Sequence, residues 1–257
     1  MILAIDIGNT SVTVGGFEDN ALCFAERLPT DAAKGAAGYE AELRALLRQN
    51  GCEQTPPEGA VVSSVVPEAE RCLLPALAAL TGKAPLCVTR ELDLGLPIDG
   101  YDARTLGRDR LVDAVAALHF YKPPLAIFDL GTATTLSVID AQGRFCGGAI
   151  AAGVAMGLYA LHTRTAQLPE TSVEAPRSVI GRDTEACLRS GAVVGAAALI
   201  DGFSERVEQE LGCPVQTVVT GGAARWVLPW CRRKTEYREH LLLEGLFLIY
   251  RRHAAQG

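Results

Sequence analysis

Two aspartates close apolar runs and are followed by glycine and small hydroxyl or amide residues: Ile5-Asp6-Ile7-Gly8-Asn9-Thr10 and Phe128-Asp129-Leu130-Gly131-Thr132-Ala133-Thr134. Glycine in a hairpin turn lets backbone N–H groups approach a phosphate with no side chain in the way. Asn or Thr beside it adds hydrogen bonds, and a strand-end Asp can hold Mg²⁺, which takes oxygen ligands. One such segment alone is weak, because Asp and Gly are ordinary turn residues. Two at matching places in two similar halves point to a polyphosphate gripped from two sides.

Gly107-Arg108-Asp109-Arg110 follows a loop and opens a helical pattern. An Asp there is in isolation a helix cap. Between two phosphate loops it gains a second reading: Asp109 accepts a proton from a substrate hydroxyl while Arg110 holds an anionic group. Thr220-Gly221-Gly222 follows the apolar run Val215–Val219. On spacing alone it is a tight strand-to-helix turn, although glycines there would also let adenine and ribose lie against bare backbone. No P-loop pattern occurs, since Gly82-Lys83 lacks the upstream glycine and the following hydroxyl. Neither GxGxxG after a strand nor GxSxG is present, so a dinucleotide lobe and an α/β-hydrolase have no anchor. The four histidines and eight cysteines show no metal-ligand spacing, and the cysteines read as reduced, buried thiols.

The elements that must position these residues come in two similar series. Ile2–Ile7, Ser11–Gly16 and Ala21–Arg27 read as three strands. A helix over Tyr39–Gln49, a buried strand at Ala60–Val65, a helix at Pro67–Leu80 and a short strand at Pro85–Val88 follow. Leu94–Thr105 is loop-like and Asp109–Tyr121 helical. The second series repeats the start: a strand ending at Asp129, then Leu136–Ile139 and Arg144–Ile150. Helices are expected over Ala151–Gln167, Thr184–Leu211 and His240–His253, with a strand at Val215–Val219. The expected organisation is an N-terminal lobe, residues 1–121, and a C-terminal lobe, residues 122–257.

With 257 residues, 49% of them hydrophobic, each lobe can bury its own core. A net charge of −6 disfavours non-specific attraction to nucleic acid or anionic lipid. The chain does not open with a signal-peptide pattern, and the uncharged stretch Cys146–Leu161 is short for a bilayer span. A cytoplasmic protein is expected, with no nucleic acid and no membrane among its partners.

Taken in order, several segments resemble the type III pantothenate kinases of the acetate-kinase/actin/hexokinase-type superfamily. They are Asp6–Thr10, Leu106–Arg110, Asp129–Thr135, Gly147–Ile150 with Gly153, Thr165–Pro169, Gly181 with Thr184, Gly191 with Gly195, and Thr220–Gly222. Asp113, Ala152-Gly153 and Ala103-Arg104 stand where that family often has Asn, Pro-Gly and Asn-Pro. The resemblance implies an α/β fold of two similar ribonuclease-H-like lobes, duplicated βββαβαβ units in an actin-like ATPase architecture. It implies ATP-dependent phosphorylation of pantothenate to 4'-phosphopantothenate, the first step of coenzyme A biosynthesis. By this resemblance Asp6, Ile7, Gly8, Asn9, Thr10, Ser11, Val12 and Thr13 bind ATP phosphates, with Asp6 on Mg²⁺. Thr132, Gly221 and Gly222 join the ATP site. Asp109 is the base, and Tyr101, Gly107, Arg108, Arg110 and Thr184 meet pantothenate. Asp129 holds a monovalent cation, K⁺ or NH₄⁺. A homodimer is implied, with the Thr184–Leu211 helix as its candidate interface. Two alternatives stay open: a kinase of the same superfamily for another small hydroxylated substrate, and a non-catalytic regulatory homologue.

Overall fold

The computed structural model describes residues 1–89, 91–102 and 105–254; Ala103 and Arg104, noted above, lie outside them. The chain divides into two compact units. The first takes the described residues of Met1–Leu96, Asp102–Ala116 and His240–Gly257, and the second those of Pro97–Tyr101 and Ala117–Glu239. These are not the two sequential halves. The C-terminal stretch joins the first unit because the helix it forms has a core face to bury there. The short segment Pro97–Tyr101 joins the second because it is hydrogen-bonded to a strand of that unit.

In the first unit, β1 (Ile2–Ile7), β2 (Ser11–Glu18) and β3 (Ala21–Pro29) form an antiparallel meander. Then come α1 (Gly35–Gln49), β4 (Gly59–Ser64), α2 (Pro67–Thr81) and β5 (Leu86–Cys87). The sheet order is β3-β2-β1-β4-β5, with β4 parallel to β1. One face carries Leu3, Ile5, Ile7, Val12, Val14, Ala60 and Val62 into a core with Tyr39, Leu43, Leu73 and Leu77 of α1 and α2. Because side chains alternate along a strand, Asp6 stands on the opposite face. That face meets the C-terminal helix α7 (Leu241–Ala254). Leu241, Leu243, Leu246 and Ile249 of α7 are buried, and Gly245 lets α7 approach the Val112 carbonyl so closely that a Cβ would stand 2.4 Å from it.

The second unit repeats the plan. β6 (Leu125–Leu130), β7 (Ala133–Ile139) and β8 (Phe145–Ala152) form the meander, followed by α4 (Val154–Arg164) and α5 (Thr184–Leu211). Next come β9 (Gln216–Thr220), a single turn of helix, α6 (Ala224–Val227), and β10 (Glu236–Tyr237). The sheet order β10-β9-β6-β7-β8 mirrors the first, with β9 parallel to β6. Ala126, Phe128, Leu130, Leu136, Val138 and Val219 face the core formed with Val193, Ala197 and Ile200 of α5. This is the duplicated βββαβαβ plan expected from the sequence. The differences are local. Ala151 and Ala152, expected to be helical, extend β8, and α4 begins only after Gly153. That glycine cannot be replaced in kind: a Cβ on it would stand 2.2 Å from the Thr132 carbonyl.

Among the described residues, α5 is long and apolar enough to cross a membrane by length and composition alone. In the fold it packs on α4, α6 and β6 with Leu188, Val193, Ala197 and Ile200 buried. The cysteines depart from expectation. All eight are free thiols, but none is fully buried, and Cys23 and Cys187 are exposed. Apolar sequence neighbours do not bury a thiol that points along a helix rim or an edge strand.

Candidate functional site

The first half-site is the β1–β2 turn with the start of α3 (Arg108–Phe120). The Gly8 N–H donates to the Ser11 carbonyl at 3.0 Å, closing the turn. Thr30, just after β3, holds it: its Oγ1 donates to the Gly8 carbonyl at 2.7 Å, and its N–H to the Thr10 carbonyl at 3.2 Å. Asn9 and Thr10 are exposed at the tip, and Ser11 and Thr13 are half-buried. Ile7 and Val12 belong to the core, so of the predicted phosphate loop they supply backbone only.

Asp6 is half-buried and pairs in register with Thr13 on β2 and Ser63 on β4. Side chains at one register position share a sheet face. A carboxylate therefore stands between two hydroxyls, at the carboxyl end of the parallel pair β1–β4, where open α/β sheets bind ligands. Ser63 is fully buried, and its Oγ has no hydrogen-bond partner among the described residues. An orphaned buried hydroxyl beside a strand-end carboxylate fits a divalent ion that keeps several waters and takes oxygen ligands only. The described residues contain no cluster of three His, Cys, Asp or Glu that would form an all-protein cage, in keeping with Mg²⁺ carried largely by phosphate.

At the mouth of α3, Asp109 sits in the first helical turn and folds back over Gly107: a Cβ on Gly107 would stand 2.4 Å from Asp109 Oδ1. Asp109 is half-buried, whereas Arg110 is only 5% exposed. Arg108 reaches the Ser64 carbonyl through Nη1 at 3.5 Å, tying the start of α3 to the end of β4. Gly107, Arg108, Asp109 and Arg110 thus share a unit with Asp6, and α3 is attached next to the strand that carries Ser63.

The second half-site repeats this with a tighter turn. Three residues, Gly131 to Ala133, separate the last register pair Leu130–Thr134, against four between Ile7 and Val12 in the first unit. The Gly131 N–H donates to the Ala133 carbonyl at 3.1 Å. Asp129 is flanked in register by Thr135 and Thr220, on the face away from the core. Gly221 follows with φ +94°, and Ala223 N–H donates to the Leu130 carbonyl at 3.2 Å. The Thr220–Gly222 turn is therefore built onto the Asp129 loop. The Asp129 carboxylate and the hydroxyls of Thr135 and Thr220 are oxygen donors of the kind K⁺ takes, and NH₄⁺ can donate hydrogen bonds to the same atoms.

Thr184 opens α5, where Asp183 caps the helix by accepting from the Ala186 N–H at 2.7 Å. Thr184 lines a cavity of about 440 Å³ between α4 and α5 with Thr134, Gly153, Gly191 and Gly195. Thr134 pairs with Leu130 on the core face of the sheet, so this cavity opens on the face away from Asp129. Tyr101 belongs to the second unit and stands edge-on to Phe145, with ring centroids 5.7 Å apart. Its segment is fastened to β8: Asp99 N–H donates to the Phe145 carbonyl at 2.9 Å, and Asp99 pairs with Arg144 at 2.8 Å. Asp140 orients that arginine through Nε at 2.7 Å. Burial pushes the Asp140 carboxyl up, but hydrogen bonds from Arg144 and Gln142 outweigh it and hold it below the ordinary range.

Motif reading missed Ser63, Thr135 and Thr220 as partners of the two aspartates. The signal was present in the second strand of each parallel pair. Val62-Ser63-Ser64 and Val219-Thr220-Gly221 both end an apolar run on a hydroxyl residue, but only the register brings each next to its Asp.

Comparisons with known proteins agree with this architecture. The family model described as type III pantothenate kinase matches residues 2–206. A type III pantothenate kinase of Solibacter usitatus is 35% identical over 98% of this chain and 97% of its own length. One of Anaeromyxobacter dehalogenans is 36% identical over 98% of this chain and all of its own length. Among solved structures, a Campylobacter jejuni protein described as a Baf family transcriptional activator superposes with a TM-score of 0.61 at 17% identity. It covers 98% of this chain and 99% of its own, which shows a shared fold. With a family model over most of its length and full-length relatives above a third identity, the chain belongs to the type III pantothenate kinase family.

Proposed function

We propose that the two half-sites carry out the reaction of the family, ATP-dependent phosphorylation of pantothenate at the first step of coenzyme A biosynthesis, with Asp109 as the base. The observation that carries this reading is the duplicated hydroxyl–Asp–hydroxyl row, one beside each glycine turn, with Asp109 in the first turn of the adjoining helix. The Asp6–Thr13 turn and Thr132 hold ATP phosphates through backbone N–H groups and side-chain hydroxyls. Gly221 and Gly222 offer bare backbone to the nucleoside. Asp6 would hold a divalent ion, which would supply charge neutralisation to the phosphates.

Asp109 accepts the proton of the primary hydroxyl of pantothenate as that oxygen bonds to the γ-phosphorus. The bond from that phosphorus to the β-bridging oxygen breaks, and ADP leaves. Arg110, with Arg108, Gly107, Tyr101 and Thr184, orients pantothenate; a buried guanidinium is the donor suited to its carboxylate. Asp129 holds K⁺ or NH₄⁺. The enzyme works as a cytoplasmic homodimer with α5 at the interface, which would cover the apolar length of that helix, and it engages neither nucleic acid nor membrane.

A coupled ADP-release assay with Mg²⁺, ATP and pantothenate, in K⁺, NH₄⁺ or Na⁺ alone, tests the reading. Pantothenate-dependent turnover that requires K⁺ or NH₄⁺ is expected. Turnover with a different hydroxylated acceptor and none with pantothenate would overturn the substrate assignment. Equal rates in all three salts would overturn the cation role of Asp129.

A further inference from the structure

The two hydroxyl–Asp–hydroxyl rows are alike in backbone and unlike in one hydrogen bond. In the second unit, Thr220 Oγ1 donates to the Glu239 carbonyl at 3.4 Å. In the first, Ser63 occupies the equivalent strand and register, is fully inaccessible, and has an Oγ without a partner among the described residues. The next residue has partners: Ser64 Oγ accepts from the Val66 N–H at 3.1 Å, and the Ser64 carbonyl accepts from Arg108. The orphan is therefore specific to the side chain in register with Asp6. Buried polar groups left unpaired are rare because each is stripped of water for nothing. An alanine would fit the same space without that cost, so the hydroxyl needs a partner that binding brings in.

Neighbouring strands lie about 4.8 Å apart, so a carboxylate and a hydroxyl at one register position can meet directly, with no water between them. We infer that Ser63 is a positioning residue for the divalent ion: when Asp6 turns one carboxylate oxygen to the ion, its other oxygen accepts a hydrogen bond from Ser63 Oγ. It thereby fixes the face of Asp6 on which the ion sits. Mg²⁺ suits this arrangement, because it keeps most of its waters and is held by few protein ligands. Groups that orient metal-bound ligands from the outside commonly matter by about 10- to 100-fold in affinity or activity. Thr13, on the other flank, is half-buried and open to solvent, so Ser63 is the flank that solvent cannot replace.

This inference rests on the reading of Asp6 as the divalent-metal residue, and the test separates the two. Mn²⁺ replaces Mg²⁺, and its binding in the presence of ADP is titrated by paramagnetic relaxation of water protons. Alongside, the melting temperature of the metal-free protein is recorded for the parent, Ser63→Ala, Ser63→Thr and Asp6→Asn. Expected for Ser63→Ala is Mn²⁺ affinity lowered about 10- to 100-fold, with a metal-free melting temperature equal to or above the parent. Ser63→Thr, which keeps the hydroxyl in the form the second unit uses, should retain more of the affinity than Ser63→Ala. Parent-like Mn²⁺ affinity in Ser63→Ala, with Asp6→Asn weakened, overturns the role of Ser63 alone. A parent-like Asp6→Asn overturns the reading of Asp6 on which it rests. A Ser63→Ala protein that melts well below the parent or does not fold makes the hydroxyl structural and also overturns the inference.

Discussion

Gly221 lies against Asp129 so closely that a Cβ on it would stand 2.4 Å from Asp129 Oδ1 and 2.5 Å from the Leu130 N–H. Its φ of +94° is one that L-residues avoid. Space and backbone conformation thus both demand glycine, and both tie the nucleoside turn to the carboxylate read as the cation ligand. Gly221→Ala should cost about 1–3 kcal/mol of stability and displace Asp129. The measurement is a K⁺ titration of turnover beside a thermal melt. The expected result is a weakened K⁺ response together with the lower melting temperature. A destabilised variant with an unchanged K⁺ response would separate Asp129 from the cation.

Asp109 sits in the first turn of α3, where a carboxylate is also favourable to the helix itself. The two roles differ in what their loss does. Asp109→Asn keeps the size and much of the capping ability while removing the proton acceptor. It should lower kcat by about 10²–10⁴-fold, leaving ATP binding and the melting temperature near the parent. Steady-state kinetics with a melt decide it. Near-normal kcat would make Asp109 a favourable charge in the first helical turn and nothing more.

Legibility in the sequence followed the range of the interactions. The first strand of each unit, both aspartate–glycine turns and the full extent of α5 were readable because periodicity and turn residues are local. The sequence boundary near residue 121 was not the structural one. The pull of α7 onto the first sheet comes from contacts between residues far apart in the chain, such as Phe17 stacked on Phe247 at 4.4 Å. Within the candidate site, motif and spacing single out Asp6, Asp109 and Asp129. Ser63 and Thr220 were not, since a serine or threonine at a strand end is unremarkable until the parallel register sets it beside an aspartate.

Asp140 closes the β7–β8 hairpin, accepting from the N–H groups of Gln142 and Arg144 at 3.0 and 2.8 Å, and aims Arg144 at Asp99. Its folded pKa lies below the ordinary carboxylate value. The stabilisation is therefore complete above the unfolded pKa of about 3.9 and is lost as pH falls through the lower folded value. Asp140→Asn should reduce the melting temperature at pH 7 by roughly 2–4 °C, and the gap from the parent should narrow in melts taken progressively below pH 4. Because Asp99 lies in the segment that carries Tyr101, KM for pantothenate should rise more than kcat falls. A gap that is constant down to pH 2 would show that the carboxylate charge is not what holds the hairpin.

Cysteine labelling reads the proposed dimer directly. Cys231 is pushed up to about 11 by burial and the nearby Asp201 carboxylate, so at pH 8 it carries on the order of 10²-fold less thiolate than a thiol of ordinary pKa near 8.5. Cys23 on β3 and Cys187 on α5 are exposed in the single chain. In a free monomer both should react with a thiol reagent far ahead of Cys231. If α5 forms the homodimer interface, Cys187 falls behind Cys23 in the native protein and catches up when dilution or mild denaturant separates the subunits. Mass spectrometry of the labelled peptides at several protein concentrations distinguishes these cases. Equal labelling of Cys23 and Cys187 at every concentration, in a protein that sediments as a dimer, would place the interface elsewhere than the first turns of α5.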